Sequence, residues 1–185
     1  MEIIDHLNSI HNEDYKKPLL KLYNDIEDRM KNVPAAVRWH HDEIGGLYRH
    51  TKEVIEIALK FYNALRQDFE RRFILEDDVI LVAFIHDLEK LDKYKFNGDY
   101  NPSLKYTKGY KETQFTFNYD KTDMNDTAQV VRICYKYGLE LKDIHLNSLT
   151  FHHGGWSVDT KGNLTPLAAL LHSADLISAN MFKRV

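Results

Sequence analysis

Seven consecutive apolar residues, Val79 to Ile85, run directly into the pair His86-Asp87. A segment that is apolar on every side has to be wrapped on every side, so the chain must supply enough surrounding elements to enclose it. The acidic residues that open "LEDDVILVAFIHDLEKLD" suit the positive N-terminal end of a helix. A run of this length also suits a buried strand, and periodicity alone leaves both readings open. Either element carries His86 and Asp87 into the core with it. Burying an unpaired carboxylate costs several kcal/mol or more, so the pair demands hydrogen bonds, a counter-charge or a metal ion.

The flanking segments are helical in pattern. Segment 13–31 spaces Leu19, Leu22, Tyr23, Ile26 and Met30 three and four residues apart, which predicts an amphipathic covering helix. After Gly45 and Gly46, the residues Leu47, His50, Val54, Ile57, Ala58 and Phe61 form one stripe of a long helix, and His50 faces inward with them. Helical patterns return at roughly 125–138 and 141–152, divided by Gly138. A last helix is expected from Thr165, with threonine as N-cap and Pro166 at the first helical position. Residues 93–123 have no helical period and many aromatic residues. They read as a long irregular insertion with a short β-hairpin, in which "TQFTFNY" alternates like a strand. The expected fold is all-α, one domain over residues 1–185, with 1–37 as an N-terminal cover.

At 185 residues and 43% hydrophobic content, the chain can bury a sizeable core without disulfides. Cys134 is the only cysteine, which excludes an internal disulfide and any multi-cysteine zinc site and makes the reducing cytoplasm the simplest compartment. A formal charge of −3 and a pI near 6.4 give no basic field for stable binding of duplex or long nucleic acid, although a local basic pocket could hold a small anion. No apolar stretch approaches the ~20 residues of a membrane span, and the N-terminus lacks the regions of a secretory signal.

Seven of the ten histidines, at 40, 41, 50, 86, 152, 153 and 172, fall in short segments with glycine or aspartate nearby. Of the two His-Asp pairs, His41-Asp42 lies in a polar segment ahead of the glycines, so only His86-Asp87 has burial to explain. Adjacent helix positions point about 100° apart, so one ion touching both residues would take its other ligands from flanking helices. His50 and Asp175 are the inward-facing candidates. A mixed nitrogen and oxygen set suits Mn, Fe, Co, Ni or Zn better than Ca, with Mg left open. Taken singly, each histidine is as well read as a hydrogen-bonded core residue and Asp175 as a surface acid. The joint pattern is what points to a metal.

The order His50, His86-Asp87, Asp175 on an all-helical pattern resembles the HD-domain superfamily of metal-dependent phosphohydrolases. Four segments, "HHDEIGGLYRHT", "HDLEK", "TFHHGGW" and "TPLAALLHSADLISANM", are similar in order to those of the HD domain in certain bacterial 3′ to 5′ exoribonucleases. The resemblance covers about residues 38–182, the expected HD core. It implies metal ligation by His50, His86, Asp87 and Asp175, with Lys90 contacting substrate phosphate or assisting proton transfer. His152 and His153 match a pair that binds a second ion in two-metal members. Those members usually carry a further histidine where this chain has "MNDTAQVVRICYKYG"; Asp126 lies nearby and could substitute, and His40 and His41, ahead of the first ligand, could also supply a contact. One tightly held metal is therefore expected, with His153 meeting substrate or a weak second ion. Glu89 stands where many members have glycine. It could orient a water, repel a highly charged substrate or point to solvent.

The chemistry so implied is hydrolysis by metal-activated water, with Asp87 or Asp175 accepting a proton. Lys90, Lys93, Arg49 and Arg38 are candidates for holding phosphate, or else solvated surface charges. The aromatic residues between Tyr94 and Tyr119, together with Trp156, could stack on a base, or pack on the helices or on another subunit. The expected substrate is a small nucleotide, cleaved as a phosphomonoester or triphosphate. Two alternatives stand beside it: a phosphodiesterase acting on a cyclic nucleotide or an RNA 3′ end, and a non-catalytic HD-fold binding protein. Homo-oligomerisation is left open.

Overall fold

The computed structural model describes residues 1–37, 40–98, 113–119, 125–153 and 164–181. In chain order the elements are α1 (Ile3–Ser9), α2 (Glu13–Met30), α3 (Gly46–Ala64), α4 (Arg66–Glu70), α5 (Glu76–Ile85), α6 (Lys90–Lys93), β1 (Tyr94–Phe96), β2 (Phe115–Phe117), α7 (Asp126–Lys136), α8 (Asp143–Phe151) and α9 (Pro166–Met181). The fold is mostly α, as expected, with one small antiparallel sheet among the described residues.

The apolar run is a helix, not a strand. Every residue of α5 from Asp77 to Ile85 is buried. It is enclosed chiefly by α3 and also touches α1, α2, α8 and α9. Each fully buried Val, Leu, Ile or Phe stabilises the fold by about 1.5–3 kcal/mol, so this helix is its thermodynamic centre. Truncating Leu81 to alanine there is expected to cost about 2–5 kcal/mol. The acidic first turn also anchors neighbours. Asp77 accepts hydrogen bonds from the backbone N–H of His11 and Asn12 at 3.1 and 2.8 Å, which docks the α1–α2 turn onto α5. Asp78 accepts from the backbone of Leu75 at 2.9 Å and lies 2.9 Å from His145 Nε2 on α8.

The N-terminal cover is two helices, where one was expected. The first, α1, buries Ile3, His6 and Leu7, but at seven residues it is too short to show a period in sequence. The last helix begins as expected, with the Thr165 hydroxyl accepting from Ala168 N–H at 3.2 Å. α7 is capped by Asn125, whose side chain accepts from Ala128 N–H at 2.7 Å, and the chain turns after it at Gly138 with φ +76°. The expected hairpin forms with Tyr94 opposite Phe117, Lys95 opposite Thr116 and Phe96 opposite Phe115. No helix among the described residues is long and apolar enough to cross a membrane.

α5 does not continue smoothly through "HDLEKLD". The backbone N–H groups of Leu88, Lys90, Leu91 and Asp92 bond three residues back, to Ile85, Asp87, Leu88 and Glu89, at 3.1 to 3.2 Å. This is 3₁₀ winding, in which side chains at i and i+3 eclipse. Asp87 and Lys90 are therefore stacked on one edge of the turn, and both are buried.

Candidate metal centre

Four side chains from three elements converge at that turn. His50 Nε2 from α3 lies 3.3 Å from Asp87 Oδ2, 3.1 Å from Asp175 Oδ1 on α9 and 3.4 Å from His86 Nε2. His86 Nε2 is 3.2 Å from Asp87 Oδ2. Donors bound about 2.1 Å from one divalent ion, at tetrahedral or octahedral angles, stand roughly 3.0–3.4 Å apart. All four separations fall in that window. The donor set of two imidazoles and two carboxylates is one a divalent transition metal favours. His50, His86 and Asp87 are almost wholly buried and Asp175 nearly so.

The rings are held from behind. His86 Nδ1 lies 2.8 Å from the Ala83 carbonyl, and that oxygen only accepts, so Nδ1 carries the proton and Nε2 is left facing the cluster. His50 Nδ1 lies 2.9 Å from Ser178 Oγ, and that hydroxyl donates to Glu53 Oε2 at 2.8 Å. Burial opposes a charge on His50, but the carboxylates of Asp175 and Asp87 outweigh it and raise its pKa. Burial would raise the pKa of Asp87, but the charge of Lys90 and the hydrogen bonds of neighbouring imidazoles hold it well below the carboxylate range. In Asp175 the hydrogen bond to His50 overcomes burial in the same direction.

Lys90 Nζ sits 2.5 Å from Asp87 Oδ2. Burial would neutralise this amine, yet the Asp87 carboxylate keeps its pKa raised. Glu89 is the correction to the sequence reading, in which pointing to solvent was one option. It is 1% exposed, and neither carboxylate oxygen has a hydrogen-bond partner. Burial and the charge of Asp87 push its pKa well up, towards the neutral acid. Tertiary packing decided this, because the 3₁₀ turn rolls position 89 inward.

On the far side of Asp87, two further buried polar atoms lack partners, Asp87 Oδ1 and His152 Nε2, 3.9 Å apart. His153 Nδ1 is 3.8 Å from Asp175 Oδ2, and burial lowers its pKa to about 4. Asp87, His152 and His153 offer ligand atoms within 4.8 Å of one another. Asp126 does not join them. It accepts from Lys93 Nζ at 2.7 Å, and that amine is also 4.0 Å from Glu89. Arg49 pairs with Glu43 at the surface. Trp156, Arg38, Tyr100, Tyr106 and Tyr110 lie outside the described residues. Burial raises the pKa of Tyr94, against the nearby positive charges of Lys90 and Lys93. Phe115 is buried, while Phe96 and Tyr119 are exposed.

The pair His41-Asp42, read as polar and outside the core, is the second correction. His41 is 6% exposed, with Nε2 2.9 Å from Glu53 Oε2. Its ring centroid lies 5.3 Å from that of His50, and the ring of His40 is 4.9 Å from His50. Glu53 and Ser178 were not among the candidate residues. Spacing could have suggested them, because each falls one helical turn after a candidate ligand, His50 and Asp175 respectively.

Comparison with curated proteins finds similarity to a dihydroneopterin 2′,3′-cyclic phosphate phosphodiesterase of Methanocaldococcus jannaschii, 26% identical over 147 residues. The match covers 79% of this chain and 51% of that protein, so the chain spans about half the length of the relative. No family model matches the chain, and no solved structure does.

Proposed function

We propose that the chain is an HD-type, metal-dependent phosphohydrolase that cleaves a phosphodiester in a small molecule, a cyclic phosphate first among candidates. Residues 38–182 would form the HD core and 1–37 its cover. The observation that carries the reading is the spacing of His50 Nε2, His86 Nε2, Asp87 Oδ2 and Asp175 Oδ1, which matches one metal's donor shell. The distant relative named for a cyclic phosphate diesterase supports the bond type. It favours a diester over the nucleoside mono- or triphosphate expected from sequence.

Charge supports the same choice. A divalent ion and Lys90, set against Asp87 and Asp175 with Glu89 held neutral, leave about one net positive charge. A phosphodiester carries one negative charge, whereas a triphosphate carries about four. Lys93 and Arg49 are already matched by Asp126 and Glu43.

His50, His86, Asp87 and Asp175 would hold a divalent ion, which would supply positive charge beside the phosphate and lower the pKa of water. Lys90, charged and buried beside Asp87, holds a second phosphoryl oxygen and offsets charge building there in the transition state. Neutral His153, with Nδ1 near Asp175, accepts a hydrogen bond from the attacking water. Asp87, whose Oδ1 has no hydrogen-bond partner, or Asp175 would take that water's proton. The burial of His50, His86 and Asp87 excludes bulk water from one side of the reaction.

The test is hydrolysis of 2′,3′-cyclic nucleotides, dihydroneopterin 2′,3′-cyclic phosphate, short RNA, and nucleoside mono- and triphosphates, with Mn, Fe, Co, Ni, Zn, Mg or chelator. The expected result is metal-dependent opening of a cyclic diester to a monoester. Phosphate release from mono- or triphosphates alone would overturn the diester assignment. A metal-loaded protein inert on the whole panel would overturn the catalytic one.

A further inference from the structure

Behind the centre runs a continuous hydrogen-bonded path that the four-ligand picture does not use. It joins His40 Nδ1 to His41 Nδ1 at 3.0 Å and His41 Nε2 to Glu53 Oε2 at 2.9 Å. Ser178 Oγ meets the same Glu53 oxygen at 2.8 Å, and His50 Nδ1 meets Ser178 Oγ at 2.9 Å. The path links α3 to α9 and to the segment ahead of α3.

Elementary donor and acceptor rules order the protons along it. Ionised Glu53 can only accept. Ser178 therefore gives its single hydroxyl proton to Glu53 and must accept from His50, so His50 Nδ1 carries hydrogen. On the other arm His41 Nε2 carries hydrogen. A neutral His41 ring has a single N–H, and Glu53, which can only accept, takes it at Nε2, so Nδ1 is bare. Bare His41 Nδ1 must then accept from His40 Nδ1–H, which leaves His40 Nε2 without a proton.

The backbone accepts strain to build this path. His41 has φ +49°, a conformation non-glycine residues rarely adopt. Its carbonyl accepts from Ala35 N–H at 3.0 Å and presses on α3 at Gly46, where a Cβ would come within 1.9 Å of the His41 oxygen. Glycine at 46 is what allows His41 to reach Glu53.

We propose that Glu53, through Ser178 and His41, is a positioning residue that holds a hydrogen on Nδ1 of both His50 and His40, so that Nε2 is the atom each ring can offer to an ion, His50 after losing its second proton. The inference rests on the metal-centre reading for its effect on affinity, but the tautomers themselves can be read without metal. Partners of this kind tune metal affinity by about 10–100-fold.

The experiment compares wild type with Glu53→Ala, Glu53→Gln and Ser178→Ala. Long-range ¹⁵N–¹H NMR of the histidines in metal-free protein is combined with zinc titration against a competing chelator. Wild type should show hydrogen on His41 Nε2, His40 Nδ1 and His50 Nδ1. Glu53→Ala should scramble the His40 and His41 tautomers and weaken zinc binding by about 10–100-fold. Glu53→Gln keeps an acceptor oxygen and should restore both. Ser178→Ala cuts only the link to His50, so it should weaken zinc binding while the His40 and His41 tautomers persist; it also decides the matter should Glu53→Ala not fold. Opposite tautomers in wild type, or wild-type zinc affinity in both Glu53→Ala and Ser178→Ala, would overturn the proposal. If wild type took up no zinc, the metal-centre reading would fail and the tautomer assignment would stand or fall alone.

Discussion

His50 Nε2 and Asp175 Oδ1 stand 3.1 Å apart, joining helices from opposite ends of the chain. The contact is attractive when the imidazole carries a proton at that nitrogen, and Asp175 and Asp87 together raise its pKa against burial. A metal needs the same nitrogen bare, so uptake must displace a proton. Apparent zinc or manganese affinity should weaken as pH falls below the raised His50 pKa, by up to about tenfold per pH unit. Calorimetry in buffers of different protonation enthalpy should detect the released proton. Affinity independent of pH from 6 to 8 would contradict the coupling.

Asp87 touches both His50 and His86 and sits under Lys90, so in the proposed reading it would hold the ion and the lysine that meets substrate. Asp87→Ala should lose metal affinity by more than ~100-fold, beyond the range of supporting residues, and should lose turnover with it. Metal content by elemental analysis checks the first part. A metal-loaded, fully active variant would sink the assignment of the centre.

Lys90 binds no metal in this arrangement, because an ammonium has no lone pair to offer. Lys90→Met keeps the length of the side chain and removes the charge. It should lower kcat by about 10²–10³-fold while metal content stays at the wild-type level. A large rise in KM with kcat unchanged would instead make Lys90 a binding residue for the ground state.

Glu89 is neutral in the fold and ionised when unfolded near neutral pH, because its folded pKa is raised. The folded state therefore binds more protons, and stability is lost as pH rises from the unfolded carboxylate value towards the folded one. Glu89→Gln removes that loss. The variant should melt higher than wild type at pH 8, with the gap shrinking towards pH 5. A gap that grows on acidification would mean that Glu89 is ionised in the fold.

Gly46 lies under the His41 carbonyl, and Gly98 has no atom of the described residues within 4 Å of the place its Cβ would occupy. Gly46→Ala should therefore destabilise by about 1–3 kcal/mol or more, with loss of metal, whereas Gly98→Ala should leave both unchanged. Thermal melts of the two variants decide this. Equal melting temperatures would remove the argument for close approach at Gly46.

Much of the centre could be read from order and chemistry along the chain. The apolar run at 79–85 demanded enclosure, and the His-Asp pair at its end demanded partners. The stripe of α3 turned His50 inward, and a last helix carried Asp175. Those inferences depend on local periodicity and on the cost of burying charge, both of which are written in the sequence. What local pattern cannot hold is the outcome of packing between distant segments. Only the assembled helices decided that α5 ends in a 3₁₀ turn, that this turn buries Glu89 with no hydrogen-bond partner, and that a strained backbone brings His41 onto Glu53. Each depends on which surfaces meet across α3, α5 and α9. A single residue's propensity is worth tenths of a kcal/mol against the several kcal/mol exchanged when such surfaces are buried.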